Sequence, residues 1–342
     1  MVYKRLLGAL GVGGPKVDTV LDGGPVVPGG ALTGQVHLEG GSADAEIEHI
    51  SVEFVARVEA ESDDGEHEGA VVFHRAVVGH GLRLAEGEYA ALPFSLPVPW
   101  ETPITELYGQ ELGVVLGVRT ELAVAGARDA GDLDPLTVRP LPAQEAVLEA
   151  LGQLGFAFKS ADLEFGHIPG TGQTLPFYQE IELYAAPQYS HALAELEVTF
   201  LADPARMEVV LEADKRGGLF AAGHDALARH AVRHEGAVDR DWSTEVDDWI
   251  RQLVDHRSAL AQPGGGLPGG ALSGAGHGGH SSPYGQGKHP HEGGHGPGAG
   301  AVVAAGAAGL AVGAVGGWAA AEVIDEVGDF FEGEEGEEDE EG

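Results

Sequence analysis

Alternation of apolar and polar residues organises the first third of the chain. Val17, Thr19 and Leu21 recur at every second position, as do Leu32, Gly34, Val36 and Leu38. This is the period of a strand with one face buried. Ile50, Val52 and Phe54 follow the same rule, and then the phase slips to Val55. A one-residue slip predicts a β-bulge or a change of sheet. GAVVFHRAVVG and GLRLAEGEYAALPFSLPVP read as further strands, and Val118, Thr120, Leu122 and Val124 mark another. About seven short strands with Gly and Pro turns, and no long helix, predict an antiparallel β-sandwich.

The period changes at residue 142. PAQEAVLEALGQLG has Pro at a first-turn position, Glu145 and Glu149 early, and Val147, Leu148, Leu151 and Leu154 along one side. These are helix signals. Strands then resume in FAFKSADLEFG, LPFYQEIELYA, AELEVTFLAD, RMEVVLEADKR and LARHAVRHE. Alternation places Glu180, Glu182, Glu195 and Glu197 on the wet side of this second sandwich. DWSTEVDDWIRQLVDHR predicts a closing helix, with Ser243 as its cap and Trp249 on its apolar side.

The expected class is therefore all-β, with two consecutive antiparallel β-sandwich domains at 1–127 and 141–260 and a polar connector at 128–140. The composition changes after residue 260. Residues 261–298 read as a disordered Gly/His/Pro-rich linker, 299–331 as a small-residue apolar helix and 332–342 as an acidic tail. At the other end, residues 2–12 predict a short amphipathic helix with Leu6, Leu7 and Leu10 on one side and Lys4 and Arg5 near the other. It reads as a cap on the first domain ahead of a weak membrane contact.

One stretch breaks the strand rules. In YAALPFSLPVPWETPIT, Pro93, Pro97, Pro99 and Pro103 interrupt a run otherwise suited to a sheet. Proline lacks a backbone donor, so it belongs on an edge strand or outside the sheet. Pro97 and Pro99 are expected to keep one edge unpaired, and Pro103 to turn the chain away.

Two sandwiches joined by a short connector resemble the arrestin-like architecture, and particular segments go further. KVDTVLDGGPVVPGGALTGQVHLEGG, LPFSLPVPWETPIT, RPLPAQEAVLEALGQLGFAFK, LPFYQEIELY and VLEADKRGG resemble the bacterial sporulation-control protein family. The resemblance covers residues 1–260 and leaves the C-terminal extension outside. It implies a non-enzymatic intracellular regulator or adaptor. Such a protein would control sporulation or developmental differentiation through contacts with protein partners. The alternative is a membrane-peripheral arrestin-like scaffold for trafficking or for cell-envelope or division processes. In arrestin-like proteins buried charges between the domains act as a latch. By that analogy Asp214, Lys215 and Arg216 are inter-domain contact candidates, against an ordinary exposed turn.

Composition narrows the chemistry. The 342 residues carry 55 acids against 19 Lys and Arg, for a net charge of −36. Such a surface repels phosphate backbones, so nucleic acid is not an expected partner. Cysteine is absent, which removes disulfides, thiolate metal sites and cysteine nucleophiles. The N-terminal MVYKRLLGALGVGG lacks the apolar length of a secretory leader, so the cytoplasm is the expected location. GHIPGTGQT (166–174) departs from a phosphate loop, with His167 in place of the first Gly and Gln173 in place of the Lys. A turn between strands is expected there instead. His230 and His234 are four apart but lie in a strand-like stretch, where that spacing does not converge on a metal. No catalytic residue and no cofactor site is expected.

The extension holds two further candidates. His277, His280, His289, His291 and His295 lie among Gly, Pro and Ser. Imidazoles bind transition metals, but nothing in such a linker orients these rings, so it reads as a tether. Residues 299–321 carry no charge over 23 positions. Their small residues recur every fourth position, with Gly309, Gly313 and Gly317 at the centre. Such a face lets two helices approach closely. It predicts self-association or weak membrane association, ahead of a tail from Glu322 to Gly342 with 12 acids and no base.

Overall fold

The computed structural model describes residues 13–62, 65–213 and 226–260. In the N-terminal lobe, β1 (Lys16–Leu21), β2 (Ala31–Glu39) and β5 (Tyr89–Pro97) form an antiparallel sheet in the order β1-β2-β5. β2 buries Leu32, Val36 and Leu38 and exposes Gln35 and His37, so only one face meets the core. Opposite lie β3 (Ala45–Ser62), β4 (Gly65–Leu84), β8 (Leu116–Val124) and β9 (Ala130–Pro135). The two layers meet at a hydrogen bond between the buried hydroxyls of Thr19 and Thr120, 2.7 Å long.

The phase slip is a real irregularity: the β3–β4 register shifts between Phe54 and Val55, and again between Ile50 and Ser51. The break read between GAVVFHRAVVG and GLRL lies inside one strand, β4, which pairs with β3 at Gly79, His80 and Leu82. Part of the expected connector is also strand. β9 pairs with β8 from Gly117↔Pro135 to Leu122↔Ala130. The short hairpin β6 (Glu106–Leu107) and β7 (Gln110–Glu111) was not legible either. Its two turn residues, Tyr108 and Gly109, both have positive φ, at 54° and 76°. A two-residue hairpin of this hand needs that conformation, which suits Gly and strains Tyr.

The prolines lie where the edge is. Asp22 N–H donates to Thr33 O, so Thr33 turns its backbone toward β1 and Leu32 and Gly34 turn theirs toward β5. Their partners Leu96 and Phe94 therefore face β2, as does Val98, which bonds Gly29 and Gly30. Pro93, Pro97 and Pro99 have the opposite parity, and their missing donors lie on the open side of β5. No ladder bond is lost there.

The C-terminal lobe begins with α1 (Pro142–Gln153), opened by Pro142 and by the Gln144 side chain, which accepts from Leu141 N–H at 2.8 Å. β10 (Ala157–Phe165), β11 (Phe177–Tyr184), β12 (Glu195–Ala202), β13 (Arg206–Ala213) and β14 (Ala226–Arg233) follow as an antiparallel meander. α2 (Trp242–Leu260) packs on α1 and on β13 and β14, with Trp249 stacked on His230 at 4.3 Å. Its cap is Asp241, whose carboxylate accepts from Thr244 N–H and Oγ1–H, rather than Ser243. Ser243 instead donates to Gln153 of α1. β10 runs parallel to β3 at Glu164↔Glu59, so β14-β13-β12-β11-β10-β3-β8-β9 is one continuous sheet through both lobes, with β4 on β3.

At the centre of β3 a charge is buried. Glu53 is 1% exposed and accepts from Arg75 Nε at 2.9 Å and from Arg119 Nε at 2.8 Å. Arg75 also bridges to Glu121 at 3.0 Å, so the carboxylate is held from both neighbouring strands. Removing one member of such a group leaves a buried charge uncompensated. Glu53→Ala should cost about 3–5 kcal/mol of unfolding free energy, read from urea denaturation. A loss within error of zero would mean that the arginines are equally well solvated without it.

Candidate functional site

The proline-broken segment after β5 does not end at an open edge. It crosses to the C-terminal lobe. Ile104, fully buried, donates its N–H to Gln179 Oε1 at 2.9 Å, and its carbonyl accepts from Gln179 Nε2 at 2.8 Å. One amide side chain on β11 thus satisfies both backbone groups of a residue that has no strand partner. Three residues earlier, the Glu101 carboxylate accepts from Thr174 N–H at 2.8 Å and from Leu175 N–H at 3.0 Å. Trp100 stacks on His234 at 5.5 Å. Its indole also closes over Gly29, where an added Cβ would lie 2.4 Å from a ring carbon. Beside them Phe73 of β4 meets Phe177 of β11 edge-on at 5.6 Å and Phe54 at 5.8 Å. Thr105 then ties the segment to the interlobe chain, donating its N–H to Val138 O and accepting from Val138 N–H.

The loop at 166–174 belongs to the same junction. Gln173 accepts from Ile168 N–H at 2.9 Å and donates to Gly166 O at 2.7 Å and Leu175 O at 2.8 Å. It therefore staples the turn that presents the amides of Thr174 and Leu175 to Glu101.

A second feature lies on one face of the β10–β13 meander. Glu182, Glu197 and Glu212 are directly opposite one another on consecutive strands, and Asp162 is opposite Glu180. Alternation put Glu180 and Glu197 in water, but they are 1% and 4% exposed, and Glu212 is 3%. The reading fails because this face is covered. Ile168, Tyr178, Leu201 and Val210 cluster on it. Lys159 bridges Glu182 at 3.1 Å and Glu195 at 2.8 Å, and these bonds raise its pKa. Carboxylate oxygens of Asp162, Glu164 and Glu180 all lie within 4.8 Å of one another. Burial first, and then the charge of Glu180, pushes the Asp162 carboxyl up to about 7. Burial also raises the Tyr178 hydroxyl. An all-oxygen set of this kind suits a hard cation or a basic side chain rather than zinc.

His230 and His234 part company, one against Trp249 and the other against Trp100. Asp214, Lys215, Arg216, the linker histidines His277, His280, His289, His291 and His295, and Gly309, Gly313 and Gly317 lie outside the described residues. Among the described residues no helix is long and apolar enough to cross a membrane. The junction residues Trp100, Glu101 and Gln179 went unassigned in the sequence. One signal for Gln179 was present: it shares the buried phase of β11 with Phe177, Ile181 and Leu183, where an amide must have a partner.

Comparison with known proteins gives a consistent result. A family model described as SpoOM protein matches residues 3–217. The sporulation-control protein spo0M of Bacillus subtilis (strain 168) is 35% identical over 259 residues, covering 74% of this chain and 97% of that one. The crystal structure of Spo0M from Bacillus subtilis superposes with a TM-score of 0.64 at 31% identity, over 72% of this chain and 100% of that chain.

Two outcomes follow. Gln179→Ala orphans both backbone groups of Ile104, so it should cost about 2–3 kcal/mol and enlarge the molecule in solution X-ray scattering. Unchanged stability and dimensions would show that the clasp does not hold the lobes. Asp162 has a folded pKa raised above its unfolded value, so its contribution is fully present below pH 4 and is lost as pH rises through about 7. Asp162→Asn should therefore gain of the order of 1–3 kcal/mol at pH 8 relative to wild type, a gain that fades on acidification. Parallel stability curves from pH 4 to 8 would refute this assignment.

Proposed function

The chain belongs to the SpoOM protein family, and on that premise we propose that it is a non-enzymatic regulator of bacterial sporulation or developmental differentiation, acting in the cytoplasm through protein contacts. The observation that carries this reading is the 35% identity that runs through 97% of the Bacillus subtilis sporulation-control protein, rather than through one motif. The two-lobed core as a whole is what the two proteins share.

The junction supports a contact-based mechanism. Its bonds are directional and polar: one glutamine on both backbone groups of one residue, one carboxylate on two amides. A partner offering the same donors and acceptors can exchange with them at small net cost. Asp214, Lys215 and Arg216 follow the end of β13 directly, two to four residues beyond Glu212. By analogy with arrestin-like proteins they are the inter-domain contact candidates of this proposal, an ordinary turn being the other reading. The acids serve the architecture in this reading, not a hydrolytic reaction.

The test is complementation. Expressed in a Bacillus subtilis strain lacking its own spo0M, the full chain should restore wild-type counts of heat-resistant spores. Gln179→Ala, at matched protein level, should not. A folded, accumulating wild-type chain that leaves the counts at the deletion value would overturn the proposal. Equal rescue by the variant would remove the junction from the mechanism.

A further inference from the structure

The C-terminal lobe has an apolar groove that neither the junction nor the acidic face uses. It lies between the β6–β7 hairpin, α1 and the β10–β11 pair, with a volume of about 420 Å³. Leu107, Leu148, Leu151, Phe156, Ile181 and Leu183 line it. Two aromatic rings stand at its mouth with large exposed surfaces, Tyr108 at 62% and Phe158 at 46%. Tyr108 holds its position at φ 54°, a conformation that costs a non-glycine residue free energy and is retained where surroundings or function require it.

The rim is acidic. Glu149 borders the groove. Together with Glu145 it raises the Tyr108 hydroxyl, after burial, the largest cause. On the hairpin Glu106 and Glu111 sit directly opposite each other. Like charges in that relation repel. An apolar floor with a carboxylate rim fits an amphipathic helix that carries bases beside its apolar stripe.

The chain itself contains one such segment. Tyr3, Leu6, Leu7 and Leu10 fall at i, i+3, i+4 and i+7, with Lys4 and Arg5 beside them. That is the pattern of a helix docked by one face. We propose that the groove receives residues 2–12 of a second copy of this chain. The geometry excludes the chain's own segment. Gly13 lies near the Ala45 end of β3, where Ser42 N–H donates to its carbonyl at 2.8 Å. The groove residue Leu112 lies three residues before Val115, whose carbonyl accepts from Arg57 N–H on the far half of β3. Along β3 the separation from Ala45 to Arg57 is about 40 Å at 3.3 Å per residue. Six residues from Gly13 back to Leu7 span at most about 20 Å. Reciprocal exchange between two copies closes a twofold dimer and leaves no further groove open.

The experiment uses the full chain and a form lacking residues 2–12. Sedimentation should show the full chain as a dimer and the deletion as a monomer. A fluorescein-labelled peptide of residues 1–12 should bind the deletion form. Glu145→Lys with Glu149→Lys should weaken that binding about tenfold or more, since two rim attractions become repulsions. A peptide with Lys4→Glu and Arg5→Glu should not bind. Phe158→Ala, on the groove's exposed lip, should weaken the peptide without touching the rim charges. A monomeric full chain, a deletion that dimerises equally, or peptide affinity indifferent to rim charge would each overturn the proposal. The readout needs no host cell, so it stands apart from the regulatory reading.

Discussion

Beside the β10–β3 pairing, one glutamine side chain fixes the segment that crosses between the two halves of this protein. The segment 99–105 leaves its sheet after Val98, the last residue bonded toward β2. Leaving the sheet exposes a peptide unit at Ile104 that is then buried against the other lobe. A buried amide without partners costs more than most packing contacts return. Gln179 removes that cost by presenting a donor and an acceptor at 2.8 and 2.9 Å, in the manner of a neighbouring strand. The Glu101 bonds, the Trp100–His234 stack and the Phe73–Phe177 contact assemble around this fixed point.

The buried charges obey a related logic in two different ways. Glu53 is compensated by arginines from both adjacent strands and serves as a rivet in β3. Glu182, Glu197 and Glu212 lie in a row on consecutive strands, and beside them burial first, then the charge of Glu180, holds the Asp162 proton to about 7. The first arrangement secures a fold. The second groups carboxylates on a covered face, with Lys159 bridging Glu182 and Glu195. With a net charge of −36, the whole chain also favours basic partners at short range.

Much of the fold was legible because strand periodicity records which face is buried. The bulge at Phe54–Val55, the strands β10–β14 and the apolar side of α2 with Trp249 all follow from alternation or from helical spacing. Local signals failed where pairing was decided at a distance. The stretch from Gly79 to Gly81 read as a break, yet β3 pairs with Gly79, His80 and Leu82 across it. The polar run at 130–135 read as a connector, yet β8 offers it an edge.

The candidate site divides in the same way. The sequence by itself determined the proline edge, the two-lobed order, the charge and the family, because these depend on residue type and short spacing. Only the tertiary structure decided that Glu180 and Glu197 are buried, since alternation assigns a side chain to a face and cannot say what covers that face. Only it brought Ile104 to Gln179, 75 positions apart. A hydrogen bond acts over about 3 Å, and no local pattern records which distant residue the chain will place within that reach.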